Sequence, residues 1–454
     1  MGRGAAIVLL GVCSLRRASA AIGVGDAHVC ATVGVTPKCW GYNRWGQLGR
    51  GDTNTTGDEP GEMGDDLIPV ELGTAEVVST FTLGEDHTCT LLESGDVKCF
   101  GKNDSGQLGL GDTESRGQTP STLGNNLPAV DFGTGLTAVQ ISAGCTHNCA
   151  LLDDGSVKCF GYNNYGQLGQ GSTDSVGDDA GDMGDNLAAV PLDGDAIAVA
   201  AGCDFSCALM EGGTVYCWGR NTWGQLGTGD SSDRLDGSNS DLVAVDLNTS
   251  VVNAIAAGEG HVCALSNDAT AKCWGHNNNG QLGQGDNEDR GATPESLGAN
   301  LAPIAFGSGD VVSSIDLGAF HTCALLQDGM IKCFGQNQNG ELGIGSDVDV
   351  GLLPTDMGAN LTAVDLGEDA TASEISVGGA TTCAVLEADG GIKCWGRGSR
   401  GQLGQGDGES IGETPGAIAE LEAIDVGTDV FGMTPAPTPG ALPVTSMPTA
   451  APTQ

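Results

Sequence analysis

The chain has 454 residues, 76 of them glycine, and its 59 acidic against 18 basic side chains give a formal charge of −41. That charge argues against sequence-independent nucleic-acid binding, which needs clustered Lys and Arg, and against docking on anionic membrane surfaces. No apolar run approaches the ~20 residues of a membrane helix, no Gly-X-Y period runs through the chain, and 39% hydrophobic content is too high for simple disorder.

In chain order, Met1-Gly-Arg3 is a basic start, Ala5–Cys13 a short apolar core and Ala18-Ser-Ala20 a small-residue cleavage site. Residues 1–20 therefore read as a signal peptide, with Arg16 and Arg17 unusual between core and cleavage site. From Ala21 a repeat begins. Gly-(Gln/Glu)-Leu-Gly starts at Gly46, Gly106, Gly166, Gly224, Gly280, Gly340 and Gly401, 56 to 61 residues apart. Self-similarity at such a period overrides the prior of about three domains of ~150 residues.

Short apolar runs with β-branched residues alternate with Gly, Asp and Asn clusters, the pattern of strands and turns. In the third repeat four strands are expected, near Ala129–Phe132, Ala138–Ala143, His147–Leu152 and Ser156–Phe160. The last two form a hairpin through Asp153-Asp154-Gly155, a three-residue loop with glycine in the left-handed position. Gly95, Gly213 and Gly329 stand at the same place. The first repeat closes through Gly34-Val35, and Ala269 makes a weaker turn in the fifth. One such unit buries too little alone, whereas seven around an axis share a core and leave only short edges. The frame at Ala21–Cys30 lacks the strands that precede it elsewhere, and Leu421–Val430 resembles Leu127–Leu136. The C-terminal strand is thus expected to complete the first blade. Residues 21–431 are read as one all-β, seven-bladed propeller with four-stranded blades and closure by the terminal strands. Residues 432–454, rich in Pro and Thr, should be an extended, disordered tail.

Of 17 cysteines, fourteen fall one pair per repeat: Cys30 with Cys39, Cys89 with Cys99, Cys149 with Cys159, Cys207 with Cys217, Cys263 with Cys273, Cys323 with Cys333, and Cys383 with Cys394. Opposed positions on antiparallel neighbours lie ~4.5–5.5 Å apart, within disulfide reach. Cys145 and Cys203 precede the first member by four residues in adjacent repeats and are positioned to bridge those blades. Cys13 lies in the N-terminal apolar stretch. Local pairing argues for an oxidising compartment and export; a reduced cytosolic protein is the rival. The pairs lack the short spacing of zinc knuckles. Sequons at Asn54, Asn103, Asn248 and Asn360 are usable if export is eukaryotic.

The frame Gly-x-x-His-(Thr)-Cys-Ala-Leu-…-Gly-x-Val-Lys-Cys-(Trp/Phe)-Gly-x-Asn-x-x-Gly-Gln-Leu-Gly-x-Gly-Asp resembles the regulator of chromosome condensation repeat. The resemblance covers most of the chain and implies a seven-bladed propeller. It does not imply one function, since that family includes a nuclear exchange factor for the small GTPase Ran, propellers attached to ubiquitin ligases and a secreted bacterial inhibitor of β-lactamases.

Trp40, Phe100, Phe160, Trp218, Trp274, Phe334 and Trp395, with the Leu of each Gly-Gln-Leu-Gly, are expected to pack between blades. Asn43, Asn103, Asn163, Asn221, Asn277 and Asn337 are expected to hold turns, with Gly398 in the seventh copy. His28, His87, His147, His261 and His321 recur at one repeat position, with Phe205 and Thr381 in the others. Equivalent positions on different blades lie too far apart to share a metal, so structural hydrogen bonding is expected, and no nucleophile pattern adjoins them. The acidic loops Asp52–Asp66 and Asp174–Asp185 lack the spacing of a calcium loop and read as solvated. The position before Gly-Gln-Leu-Gly is variable: Trp45, Ser105, Tyr165, Trp223, Asn279, Asn339, Arg400. Three residues earlier stand Tyr42, Lys102, Tyr162, Arg220, His276, Gln336 and Arg397. Tyr42, Trp45, Tyr162, Tyr165 and Trp223 are therefore the candidate binding residues, because exposed Tyr and Trp are typical interface anchors. The expected function is a non-enzymatic, exported monomer that needs no cofactor or metal and binds a protein or glycan through its loops, without membrane insertion. An intracellular guanine-nucleotide exchange factor is the alternative, and an enzyme the third reading.

Overall fold

The computed structural model describes residues 21–74, 76–235 and 242–428. The expected signal peptide with Cys13 and the tail 432–454 lie outside them. The described residues form seven sheets of three antiparallel strands. The first blade is β1 (Ile22–Val24), β2 (His28–Val33) and β3 (Thr36–Gly41), and the second β4 (Val78–Leu83), β5 (His87–Leu92) and β6 (Val97–Gly101). The third is β7 (Ala138–Ala143), β8 (His147–Leu152) and β9 (Val157–Gly161), and the fourth β10 (Ala196–Ala201), β11 (Phe205–Met210) and β12 (Val215–Gly219). The fifth is β13 (Val252–Ala257), β14 (His261–Ser266) and β15 (Ala271–Gly275). The sixth is β16 (Val312–Leu317), β17 (His321–Leu326) and β18 (Ile331–Gly335), and the seventh β19 (Ala372–Gly378), β20 (Thr381–Leu386) and β21 (Ile392–Gly396). In each blade the first strand lines a central channel, and all seven first strands face one cavity of about 540 Å³.

The hairpins follow the sequence closely. Cys149 faces Cys159 in the β8–β9 register, and Gly155 takes φ +83° in the turn. All seven expected hairpin pairs are bonded. Cys30 is joined to Cys39, Cys89 to Cys99, Cys149 to Cys159 and Cys207 to Cys217. Cys263 is joined to Cys273, Cys323 to Cys333 and Cys383 to Cys394. Their Cα–Cα distances are 4.0–4.1 Å, shorter than the ~4.5–5.5 Å expected for opposed residues in general. Cys145 and Cys203 are bonded as well, at a Cα–Cα distance of 4.5 Å.

The expected fourth strand differs. Residues 129–132 form no strand; Val130 N donates to Val97 O at 2.8 Å, so this segment lies along β6 of the preceding blade, not ahead of β7. Pro128 has no N–H, and the turn that Asp131 makes by accepting from Gly133 N at 2.9 Å ends the pairing after one bond. The same shift of frame moves the C-terminal segment. Ile424 N donates to Ile392 O at 2.8 Å, which places residues 421–428 along β21 of the seventh blade. The first blade draws its inner strand β1 from its own N-terminal side, with Ile22 opposite Ala31. The C-terminal segment thus does not complete the first blade as expected. It meets that blade from the seventh: Lys38 Nζ donates to Val426 O at 2.7 Å and Gly64 N to Asp425 O at 2.7 Å.

Between blades the core is apolar. Phe100 packs with Leu48, Cys30 and Cys39 of the first blade, and Trp40 packs with Leu403, Cys383 and Cys394 of the seventh. Each of the four tryptophans on third strands also donates its indole N–H to the backbone carbonyl of the preceding blade's Gln or Glu, at 2.9–3.1 Å. The recurring Lys of third strands has little exposed area because its ammonium donates to loop carbonyls; Lys158 Nζ reaches Phe132 O at 2.7 Å.

The recurring histidines are fully buried and each spans a seam. His28 Nε2 lies 2.8 Å from Thr88 Oγ1, His147 2.8 Å from Ser206 Oγ, His261 3.0 Å from Thr322 and His321 2.9 Å from Thr382. His87 meets Asn148 Oδ1 at 3.2 Å. Each partner donates in turn to the carbonyl of a Gly-(Gln/Glu)-Leu-Gly residue, as Ser206 does to Gln167 O at 2.9 Å. The hydroxyl proton is thereby committed, so Nε2 carries the ring proton. The glycine three residues earlier leaves room for the ring: a Cβ on Gly144 would collide with His147 Cε1.

Candidate binding face

Third strands end at the glycine of Gly-x-Asn, beside the start of the second strand. At this end Tyr42 N donates to Ala27 O at 2.9 Å. The following Asn fixes the loop: Asn43 Oδ1 accepts from Leu48 N at 3.0 Å, and its amide donates to Asp52 O at 3.1 Å. Gln47 Oε1 accepts from Trp45 N at 2.9 Å. Asn43, Gln47 and Leu48 are consumed by the scaffold and buried. Tyr42 and Trp45 are left half-buried at the surface. The same construction places Tyr162, Tyr165 and Trp223 on this face. Asn103 is buried in such a turn, which removes it from the usable sequons; Asn54, Asn248 and Asn360 are exposed.

The five aromatics share a rim without forming one cluster. The residue before Gly-Gln-Leu-Gly meets the Gly-x-Asn residue of the next blade. Arg220 lies 5.0 Å from the ring centroids of both Tyr165 and Trp223. Trp223 stacks on His276 at 4.6 Å, and His276 meets Phe320 edge-on at 5.9 Å. Gly260 permits that stack, since a Cβ there would lie 2.9 Å from Trp223 Cε3. A continuous track therefore crosses the third to sixth blades. Trp45 packs instead with Arg44 and Lys102, at 5.5 and 5.7 Å. Tyr42 lies under Arg400 of the seventh blade at 4.2 Å. Tyr162 is turned onto its own loop, its hydroxyl accepting from Asn164 Nδ2 at 2.6 Å.

Inside this rim the channel mouth is acidic. Asp26, Glu85, Cys145, Cys203 and Glu259 line it on the loops between first and second strands. Asp204 adjoins them and holds Arg220 at 3.0 Å. Partial burial pushes the Glu259 carboxyl above its ordinary range, and Asp26, Asp204 and Glu85 add to the effect. Burial raises Glu85 too, helped by Asp86 and Asp26. Asp26, Glu85 and Glu259 line one cavity, so their charges repel one another. Below the mouth, Asp316 accepts Val377 N at 2.8 Å from the next blade, where Ser142 accepts Ala201 N at 3.0 Å. Burial lifts the Asp316 carboxyl to about 7.

Choosing aromatics alone missed Lys102, Arg220, His276, Phe320 and Arg400. All but Phe320 stand at the two variable positions already aligned from the repeats, but their pairing across a seam needs the ring order. The acidic mouth was signalled by the residues between Gly and His of each Gly-x-x-His. Among the described residues no group of His, Cys, Asp or Glu is arranged to hold a metal ion. Carboxylates of the acidic loops are used locally: Asp182 accepts from Gly177 N and Asp179 N, both at 3.0 Å. Among the described residues no helix is long and apolar enough to cross a membrane.

Seven similar sheets around a channel, with matched loops at one end, define a repeat propeller whose variable surface is its loops. The chain belongs to the family of the regulator of chromosome condensation (RCC1) repeat, which is matched at residues 39–91, 94–151, 212–265 and 273–325 and, by a second form of the repeat, at 78–107, 138–167, 196–225, 252–281, 312–341 and 372–402. It is similar to the ultraviolet-B receptor UVR8 of Arabidopsis thaliana, 31% identical over 89% of this chain and 82% of that protein. It is also 31% identical to the probable E3 ubiquitin-protein ligase HERC6 of Homo sapiens, over 65% of this chain but only 26% of the ligase. Among solved structures, Prp20p of Saccharomyces cerevisiae, described with its binding to Gsp1p and histones, shares the fold at a TM-score of 0.62 and 24% identity, covering 87% of each chain.

Proposed function

We propose that this protein is a non-enzymatic, exported interaction scaffold that binds a macromolecular partner through the rim bearing Tyr42, Trp45, Tyr162, Tyr165 and Trp223. The observation that carries this reading is the track Tyr165–Arg220–Trp223–His276. It presents the half-exposed rings of Tyr165 and Trp223 with the Arg220 guanidinium against both and the buried His276 behind Trp223, and aromatic and Arg residues are the usual anchors of an interface. A protein partner is favoured over a glycan because Prp20p is described as binding proteins. The eight disulfides among the described residues favour an oxidising compartment. The protein is taken as a monomer with no cofactor.

Two measurements test this. Thiol counting on the denatured, unreduced mature protein is expected to find almost none of the sixteen described cysteines free; sixteen free thiols would point to the intracellular exchange-factor reading. The oxidised ring and its Trp45→Ala, Tyr165→Ala, Trp223→Ala triple variant, matched for circular dichroism, are then compared as bait. Partners held by the parent and lost by the variant support the rim. Partners retained equally would reject it, and retention on a glycan array alone would change the partner class.

A further inference from the structure

The eight disulfides among the described residues fall into two kinds. Seven join opposed residues of one hairpin, and all fourteen sulfur-bearing residues have 0% exposure. The eighth, Cys145–Cys203, joins two blades across 58 residues of chain, is half-buried and lines the channel mouth. Thiol–disulfide exchange requires a thiolate to reach a sulfur atom. At the hairpin bonds such an approach needs the sheet to open, whereas at Cys145–Cys203 the channel already provides it.

We propose that Cys145–Cys203 is a site of thiol–disulfide exchange, a reducible clamp across the seam between the third and fourth blades that takes an uncharged dithiol as its reductant. One thiolate of the dithiol attacks either sulfur, forming a mixed disulfide and releasing the other cysteine as a thiolate that takes a proton from water. The second thiol of the reductant then displaces the first cysteine. The protein gains two electrons and two protons, and the dithiol leaves as its disulfide. Selectivity for an uncharged reductant comes from Asp26, Glu85 and Glu259 around the mouth and Asp204 beside Cys203. Their charge repels an anionic thiol such as glutathione.

The ring survives the opening. His147–Ser206 at 2.8 Å, Trp218 Nε1 to Gln167 O at 2.9 Å and Ala201 N to Ser142 Oγ at 3.0 Å still cross that seam. The two thiols also stay placed for reclosure. Glu85 N donates to Cys145 O at 3.1 Å and Cys203 N to Glu259 O at 3.3 Å, so each cysteine remains tied to its outer neighbour.

The test is timed reduction of the folded, full-length protein with dithiothreitol, followed by alkylation and peptide mapping. Cys145 and Cys203 are expected to be labelled together, ~10-fold or more ahead of any hairpin cysteine. Glutathione is expected to be slower at low ionic strength and to gain rate with added salt. The Cys145→Ser, Cys203→Ser double variant should fold, lose the fast phase and keep the slow one. Labelling of hairpin cysteines at the same rate, absence of label until the protein unfolds, or a fast phase that persists in the double variant would overturn the proposal. Glutathione matching dithiothreitol at low salt would overturn its selectivity.

Discussion

The seam between the third and fourth blades and the seam between the seventh and first are built from the same module and held by different means. Across the former, His147 donates to Ser206, Arg220 lies over Tyr165 and Cys145–Cys203 adds a covalent bond. Across the latter, Thr381 stands where the histidine would be and Val29 where the hydroxyl would be, both fully buried. Its contacts include apolar packing, the Trp40 indole donating to Gln402 O at 3.0 Å, Arg400 over Tyr42, and the bonds of Lys38 and Gly64 to the C-terminal segment. The seam between the fourth and fifth blades makes the same exchange with Phe205 and Val262, also fully buried. What varies is always the pair. Histidine occurs where the next blade offers Ser, Thr or Asn, and both are absent elsewhere. An unpaired buried donor costs more than a missing pair, and the repeats obey that asymmetry.

The largest expected effect is of pH. Burial holds His28, His147, His261 and His321 at about 3 and His87 at about 4, against an ordinary value of 6.5. The unfolded chain therefore binds more protons below pH 6.5. The stability these histidines contribute is complete above 6.5 and is lost as pH falls toward 3, by up to ~1.4 kcal/mol per pH unit for each. Urea midpoints should fall steeply between pH 6 and 4. A flat profile there would show that the seams admit charged imidazole.

Next in size is a direct exchange of one pair for another. Ser206→Val leaves the His147 N–H without an acceptor and should cost ~2 kcal/mol. Adding His147→Phe copies the Phe205–Val262 pair and should recover at least half, while removing one titrating group from the acid profile. Additive losses in the double-mutant cycle would mean that the pairing is not energetic.

This pairing was legible in principle. Position 206 follows position 205 in every repeat frame, and the rule linking each residue to the histidine of the previous blade needs only the ring order. The hairpins, their cysteines and the Gly155 turn were legible because they are local: opposed residues such as Cys89 and Cys99, or Cys323 and Cys333, are fixed by a two- or three-residue loop. The fourth segment was not. Leu127–Leu136 carries strand-like residues but makes one bond to Val97, and nothing in its composition says which blade it joins. Assigning it forward put the segment beginning at Leu421 on the first blade, whereas its described residues 421–428 run along β21 of the seventh. The rim was half legible, since aromatics stand out in composition while their basic partners Arg220 and Arg400 matter only through a neighbouring blade.

A smaller effect concerns Asp316, which bridges to the next blade from the first-strand position held by Ser142 in the third blade and Thr82 in the second. Burial raises it to about 7, above its unfolded range. The folded state then holds its proton more tightly, so stability is greatest below pH 4 and falls as pH rises through 7. This opposes the histidines. Asp316→Ser keeps an acceptor for Val377 N and should stabilise the protein by ~1–2 kcal/mol at pH 8, with little gain at pH 4. Equal effects at both pH values would remove the carboxyl's proton from the account.

The smallest effect separates what a blade contributes alone from what a seam contributes. Ala269 closes the hairpin of the fifth blade at φ +62°, where Gly95, Gly155, Gly213 and Gly329 close theirs at +81° to +90°. An alanine in that region costs ~1–2 kcal/mol, and a glycine gives back ~0.5–1 kcal/mol of unfolded-state entropy. Ala269→Gly should therefore stabilise the protein by ~0.5–1 kcal/mol in urea unfolding at pH 7. The turn lies at the opposite end of β14 from His261, so the change should be additive with Ser206→Val and leave the acid profile unmoved. Coupling between the two would show that a hairpin turn is felt at a seam two interfaces away, and the blades could then no longer be treated as units joined only by their paired residues.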